Sequence, residues 1–180
     1  MNQLVEQVVK KKKDSRYYIN VLLILLATVG IPGTFLGLGL FFQRAYLAII
    51  AVFSLFFCIY GAWFFISSLN IDYEYACLQS VLRFDKIISK RRRKPIVKLD
   101  IKSITDFFPY SDEEMSKRKI SKVYYACADE YSEENYVAAF KNEARGQCVV
   151  IFTPNEKMLK AIEPYFSVEI KKKRLLEQKS

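Results

Sequence analysis

Hydrophobic and polar positions are unevenly distributed along this chain. From Tyr17 to Leu69 the one Asp, Glu, Lys or Arg is Arg44, whereas the segments on both sides are densely charged. A helix on the surface of a soluble core needs a polar face. This stretch offers none, so the pattern predicts that lipid is its solvent. A hydrocarbon core of about 30 Å takes roughly 20 apolar residues per helix, which makes the stretch too long for one span and sufficient for two. Gln43 and Arg44 supply the polar break, placing the spans at 17–41 and 45–69. Gly30, Pro32, Gly33, Gly37 and Gly39 crowd the second half of the first span. The helix is expected to kink there or to pass into the loop, and Gly33, Gly37 and Gly39 to let the two helices pack closely.

From Asn70 the period shortens to two. Ile71, Tyr73, Tyr75 and Cys77 share one face of a first strand, and Leu82, Phe84, Lys86 and Ile88 one face of a second. Between them lies the Gln79-Ser80 turn. Further strands are predicted from Pro95 to Asp100, Ile104 to Tyr110, Lys122 to Ala128, Tyr136 to Lys141 and Gln147 to Thr153, each rich in β-branched and aromatic residues. The polar segment Ser111–Arg118 reads as a loop. Thr153-Pro154-Asn155-Glu156 is a capping box with proline at the first helical position, and Met158, Leu159 and Ile162 follow as an apolar stripe. Pro164 is expected to end or kink that helix.

About seven strands and then one helix is the element order of a pleckstrin-homology-like (PH-like) barrel, in which two nearly orthogonal sheets leave a corner that the helix closes. The strand pair leading into Lys98-Leu99-Asp100-Ile101-Lys102-Ser103-Ile104 looks like the bacterial PH-like domains carried behind transmembrane hairpins. Over nearly its whole length the chain resembles a family of short two-span proteins from Gram-positive bacteria. The resemblance implies a fold and a location rather than an activity. The expected class is α+β: a transmembrane helical hairpin, then a seven-stranded antiparallel barrel closed by one helix. The segments are 1–16 (basic cytoplasmic N-terminus), 17–69 (hairpin), 70–166 (PH-like domain) and 167–180 (basic tail).

Charge sets the orientation. Lys10–Lys13 and Arg16 precede the first span; Arg83, Lys86 and Lys90–Lys94 follow the second, against Arg44 between them. The positive-inside rule then puts both termini in the cytoplasm of a cell-membrane protein. The competing signal-peptide reading, with Lys10–Lys13 as its basic region and Ile19–Ala27 as its apolar one, lacks a convincing small-x-small cleavage site. Cys58, Cys77, Cys127 and Cys148 stand singly, as in a reducing compartment.

The chain has no histidine. That excludes Ser-His and Cys-His nucleophile pairs and most zinc sites. No phosphate-cradling glycine loop is present either. Acidic residues gather at Asp112-Glu113-Glu114 and at Asp129, Glu130, Glu133 and Glu134, a pattern that reads first as solvated loops rather than a cation site. No catalytic residue, metal or cofactor is expected.

The strongest local feature is Lys90, Arg91, Arg92, Arg93 and Lys94. It reads as a topogenic loop or as a contact for anionic lipid; without interleaved aromatics it is a poor nucleic-acid surface. A strand leaving the bilayer and its antiparallel neighbour returning would bring this loop back to the headgroups, where each basic residue contributes about 1 kcal/mol. PH domains that bind phosphoinositides hold the headgroup around the first strand–strand loop. Taken as Leu78–Val81, that loop has no Lys or Arg, so such a pocket is not carried over. A protein partner added at an open strand edge remains in view. So does a different class of function, an accessory subunit of a transporter or envelope complex acting through its hairpin.

Overall fold

The computed structural model describes residues 4–130, 132–142 and 145–177. They form two compact units: 13–70, and 1–12 together with 71–180.

The smaller unit is a helical hairpin, α1 (Ser15–Phe41) and α2 (Ala45–Ser68). Asp14 caps α1, its carboxylate accepting the Tyr17 N–H at 3.0 Å. α1 runs unbroken through Pro32 instead of ending there. The Thr28 and Thr34 hydroxyls donate to the Ile24 and Ile31 carbonyls, each at 2.7 Å, so neither is unpaired among apolar neighbours. Of the three glycines expected to pack, only Gly39 meets α2: a Cβ there would stand 3.2 Å from the Leu47 Cβ. Gly33 and Gly37 face open space. Pro32, Ala51 and Ala62 are buried, whereas Val29, Phe53, Phe56 and Phe57 are each at least 70% exposed. The core helix of a soluble protein would hide such residues. At 1.5 Å per residue the helices measure about 40 and 36 Å, and both are long and apolar enough to cross a membrane.

Among the described residues the larger unit holds eight strands, one before the hairpin and seven after it. β1 (Leu4–Lys10), β2 (Ile71–Leu78), β3 (Val81–Ile88) and β4 (Arg92–Asp100) form an antiparallel sheet in that order. β5 (Ile104–Pro109), β6 (Lys122–Ala126), β7 (Tyr136–Asn142) and β8 (Gly146–Phe152) form a second, in the order β5-β7-β8-β6. Two expectations change here. Residues 1–16 are not a separate basic terminus, because Leu4 to Lys10 pair in register with Leu78 to Asp72. Nor is there a closed, all-antiparallel barrel: two four-stranded sheets are present, and β6 runs parallel to β8.

The core follows from strand period. Leu82 and Phe84 point inward on β3 while Arg83 points out. Tyr75, Phe84 and Phe152 meet edge to face, with centroids 5.0–5.6 Å apart. α4 (Glu156–Ile162) plugs this core with Met158 and Ile162, and Leu159 packs at its margin. β7 and β8 are buried on both faces. Val137, Ala139, Val149 and Ile151 pack under Met115, Ile120 and Val123, in and after the short helix α3 (Asp112–Ser116). The segment expected as a loop therefore covers the second sheet.

Helix α4 is capped by Asn155, whose side chain accepts the Met158 N–H at 2.8 Å. The expected cap, Thr153, belongs to a buried polar network instead. Its hydroxyl donates to Asn135 Oδ1 at 2.7 Å. Its N–H donates to the Tyr75 hydroxyl at 3.2 Å, and that hydroxyl donates to the Ala126 carbonyl. After a 3-10 turn around Pro164, a further helix, α5 (Val168–Glu177), occupies most of the segment expected as a basic tail. Ile170 buries into the core, Arg174 bonds Glu163 at 2.9 Å, and Lys173 bonds Asp106 at 3.1 Å.

Candidate functional site

Strand register decides where the basic residues go. Ile71 lies opposite Ile88, and Ile88 opposite Arg92, so the β3–β4 turn sits at the end of the first sheet where β1 finishes and β2 begins. The turn is tight. Ser89 and Lys90 both adopt φ of 55°, and the Arg91 N–H donates to the Ile88 carbonyl at 3.1 Å.

Because side chains alternate along a strand, the five-residue run does not act as a block. Arg92 and Lys94 lie on the inner face, opposite Ile88 and Lys86. Arg93 lies on the outer face, where its guanidinium reaches the nearly buried Glu74 at 3.2 Å. Lys90 and Arg91 occupy the turn. Of the five, Arg93 is thus engaged in holding the sheet together.

The structure also gathers residues that the linear sequence separates. Lys11 donates its backbone N–H to the Ile71 carbonyl at 3.1 Å, continuing the β1–β2 ladder by one residue. Its ammonium stands 3.7 Å from Glu130, and that of Lys12 is 3.1 Å from Asp129. Burial pushes the Lys86 ammonium below the usual lysine pKa, and the charges of Lys11 and Lys94 push it further. The proximity of Lys11 to Lys86 was hidden in sequence because Lys11 follows a strand whose partner lies beyond the hairpin. The one local signal was the β-branched set Val5, Val8 and Val9.

This placement corrects the reading of the first strand–strand loop. Leu78–Val81 joins β2 to β3, whereas the first connection is the segment from Lys11 to Asn70, with Lys11, Lys12 and Lys13 at its start. Leu78–Val81, which has no Lys or Arg, is thus the second connection.

Elsewhere the chemistry is quiet. Glu114 pairs with Lys117 and Arg118. Among the described residues no group of three or more His, Cys, Asp or Glu is arranged to hold a metal ion. Cys77, Cys127 and Cys148 are buried and free, and burial drives the Cys127 thiol up to about 11.

Comparison with curated proteins and with solved structures returns no match. A family description, by contrast, covers residues 1–172 and so takes in β1, the hairpin and both sheets. The chain belongs to the bacterial PH-like domain family DUF6106.

Proposed function

We propose that this chain is a membrane-anchored, non-catalytic interaction module that faces the cytoplasm and presents the basic end of its first sheet to the anionic inner leaflet. One observation carries the reading: both chain connections to the apolar helices and the basic β3–β4 turn occupy the same end of that sheet. The links Lys13-Asp14 and Leu69-Asn70 are two residues each, a reach of about 7 Å. Links this short support the reading that this sheet end meets the bilayer surface. The β1–β2 pairing also requires both ends of the hairpin to lie on one side of the membrane. With the flanking lysines, it supports cytoplasmic termini; a cleaved signal sequence would deprive the sheet of β1.

The test is lipid recovery from native membranes with the full-length protein. Wild type is expected to enrich anionic lipid, and the variant with Lys90, Arg91 and Arg92 changed to Gln to lose most of that enrichment. An identical lipid profile for both sinks the leaflet contact.

A second reading, an accessory subunit acting through its hairpin, is favoured by Gly30, Gly33 and Gly37, which leave open space along α1 for another helix. Exchanging the hairpin for an unrelated one separates the two: a captured protein partner survives the exchange in the first reading and is lost in the second.

A further inference from the structure

We propose that Lys11, Lys86 and Lys94 form a binding site for a phosphate monoester on the inner face of the first sheet, with Tyr73 as its wall. The proposal rests on the leaflet reading above for its source of ligand, and on the fold alone for the site. Lys86 stands directly across the ladder from Lys94 on one side and from Tyr73 on the other. Val9 faces Tyr73, and Lys11 follows two residues later on the same face. Like charges directly opposite one another destabilise a sheet. No acidic side chain among the described residues pairs with Lys86 or Lys94; Lys11 alone has one, Glu130 at 3.7 Å.

Three ammonium groups against one carboxylate leave a local excess of two positive charges. That matches a dianionic phosphate monoester, whose oxygens accept from several donors at once. Burial and the charges of Lys11 and Lys94 already hold the Lys86 ammonium below its ordinary range, a penalty that a bound anion reverses. The Tyr73 phenol is driven up to about 12, by burial first and then by Cys127 and Glu130, so it stays uncharged across the ladder from Lys86. The monoester has two candidate sources, the headgroup of phosphatidic acid or soluble phosphate.

The experiment uses the full chain in detergent micelles and counts bound ligand by native mass spectrometry. It is titrated with short-chain phosphatidic acid, phosphatidylcholine and inorganic phosphate. One phosphatidic acid per chain is expected. Lys86→Gln and the more exposed Lys94→Gln should each weaken it about tenfold or more, and Lys86→Arg should restore it. Displacement by millimolar inorganic phosphate assigns a soluble ligand, and persistence assigns the lipid; either supports the site. Wild-type affinity in folded Lys86→Gln and Lys94→Gln, or equal binding of phosphatidylcholine, overturns it. Replacing Lys90, Arg91 and Arg92 leaves Lys11, Lys86 and Lys94 in place. Enrichment that falls in that variant to the Lys86-dependent fraction upholds both ideas. Unchanged enrichment with retained binding removes only the leaflet reading.

Discussion

Strand β1 is an integral part of the larger unit, and removing residues 1–12 should strongly destabilise or unfold it. The perturbation compares two soluble proteins: residues 71–180 alone, and residues 1–12 joined to 71–180 by a short glycine turn in place of the hairpin. The turn is geometrically permitted because Lys10 lies opposite Asp72 and the Lys11 N–H bonds the Ile71 carbonyl. Loss of β1 uncovers core packing by Val5 and Val9, about 1 kcal/mol each when half-buried. It also removes Gln7, whose side chain donates to the Thr153 carbonyl at 2.8 Å and accepts the Asn155 N–H at 2.9 Å. Those bonds contribute about 1 kcal/mol apiece. The seven-residue ladder is largely offset by the entropy regained when β1 is released. The total is about 4 kcal/mol, a large share of the roughly 5–15 kcal/mol that stabilises an ordinary domain. Urea unfolding followed by far-UV circular dichroism suits the comparison, because the one tryptophan, Trp63, leaves with the hairpin. With a slope of about 2 kcal/mol per molar, the midpoint should fall by about 2 M or the transition should vanish. Coincident midpoints would refute the role of β1.

Three further outcomes follow from the same structure. Tyr75→Phe should cost about 2–3 kcal/mol in urea unfolding, because it strands the buried Ala126 carbonyl and Thr153 N–H; a loss below about 0.5 kcal/mol would remove the network from the account. Gln79 holds φ of 56° in the β2–β3 turn, so Gln79→Gly should raise stability by about 0.5–1 kcal/mol, the relieved strain exceeding the entropy cost of glycine; a lowered midpoint contradicts this. Burial alone would raise the Asp106 pKa, but hydrogen bonds and charge from Arg118 and Lys173 hold it below the ordinary carboxylate value. Its stabilisation is thus complete above the unfolded-state pKa and lost as pH falls through the lower folded value. Asp106→Asn should be less stable than wild type at pH 6, with the gap closing in acid; a gap that stays constant down to pH 2 would refute the assignment.

The parts legible in sequence were those governed by local pattern. The two apolar helices follow from the absence of charge between Tyr17 and Leu69, and β2 to β8 from their β-branched and aromatic runs. β1 was not legible, because its inner face carries Val5, Gln7 and Val9 in weak alternation and its partner lies beyond the hairpin. The start of α4 was misplaced by two residues because Thr153 and Asn155 are both competent caps; only the buried bond from Thr153 to Asn135 assigns the role to Asn155. α5 looked like a charged tail since its anchors, Ile170 in the core and Lys173 on Asp106, are tertiary contacts. The basic run was visible, but its division between two faces, with Arg93 turned to Glu74 and Lys94 to Lys86, depends on register.

The most direct measurement of the central claim is spin-label depth at the two ends of the first sheet in reconstituted full-length protein. Single labels at Ser89 and Ser80 mark the β3–β4 and β2–β3 turns, at opposite ends of eight-residue strands and so about 23 Å apart. The account predicts a Ser89 label at headgroup level and a Ser80 label exposed to bulk water, with the difference shrinking when Lys90, Arg91 and Arg92 become glutamine. Equal depths for both labels in the wild-type protein would contradict it.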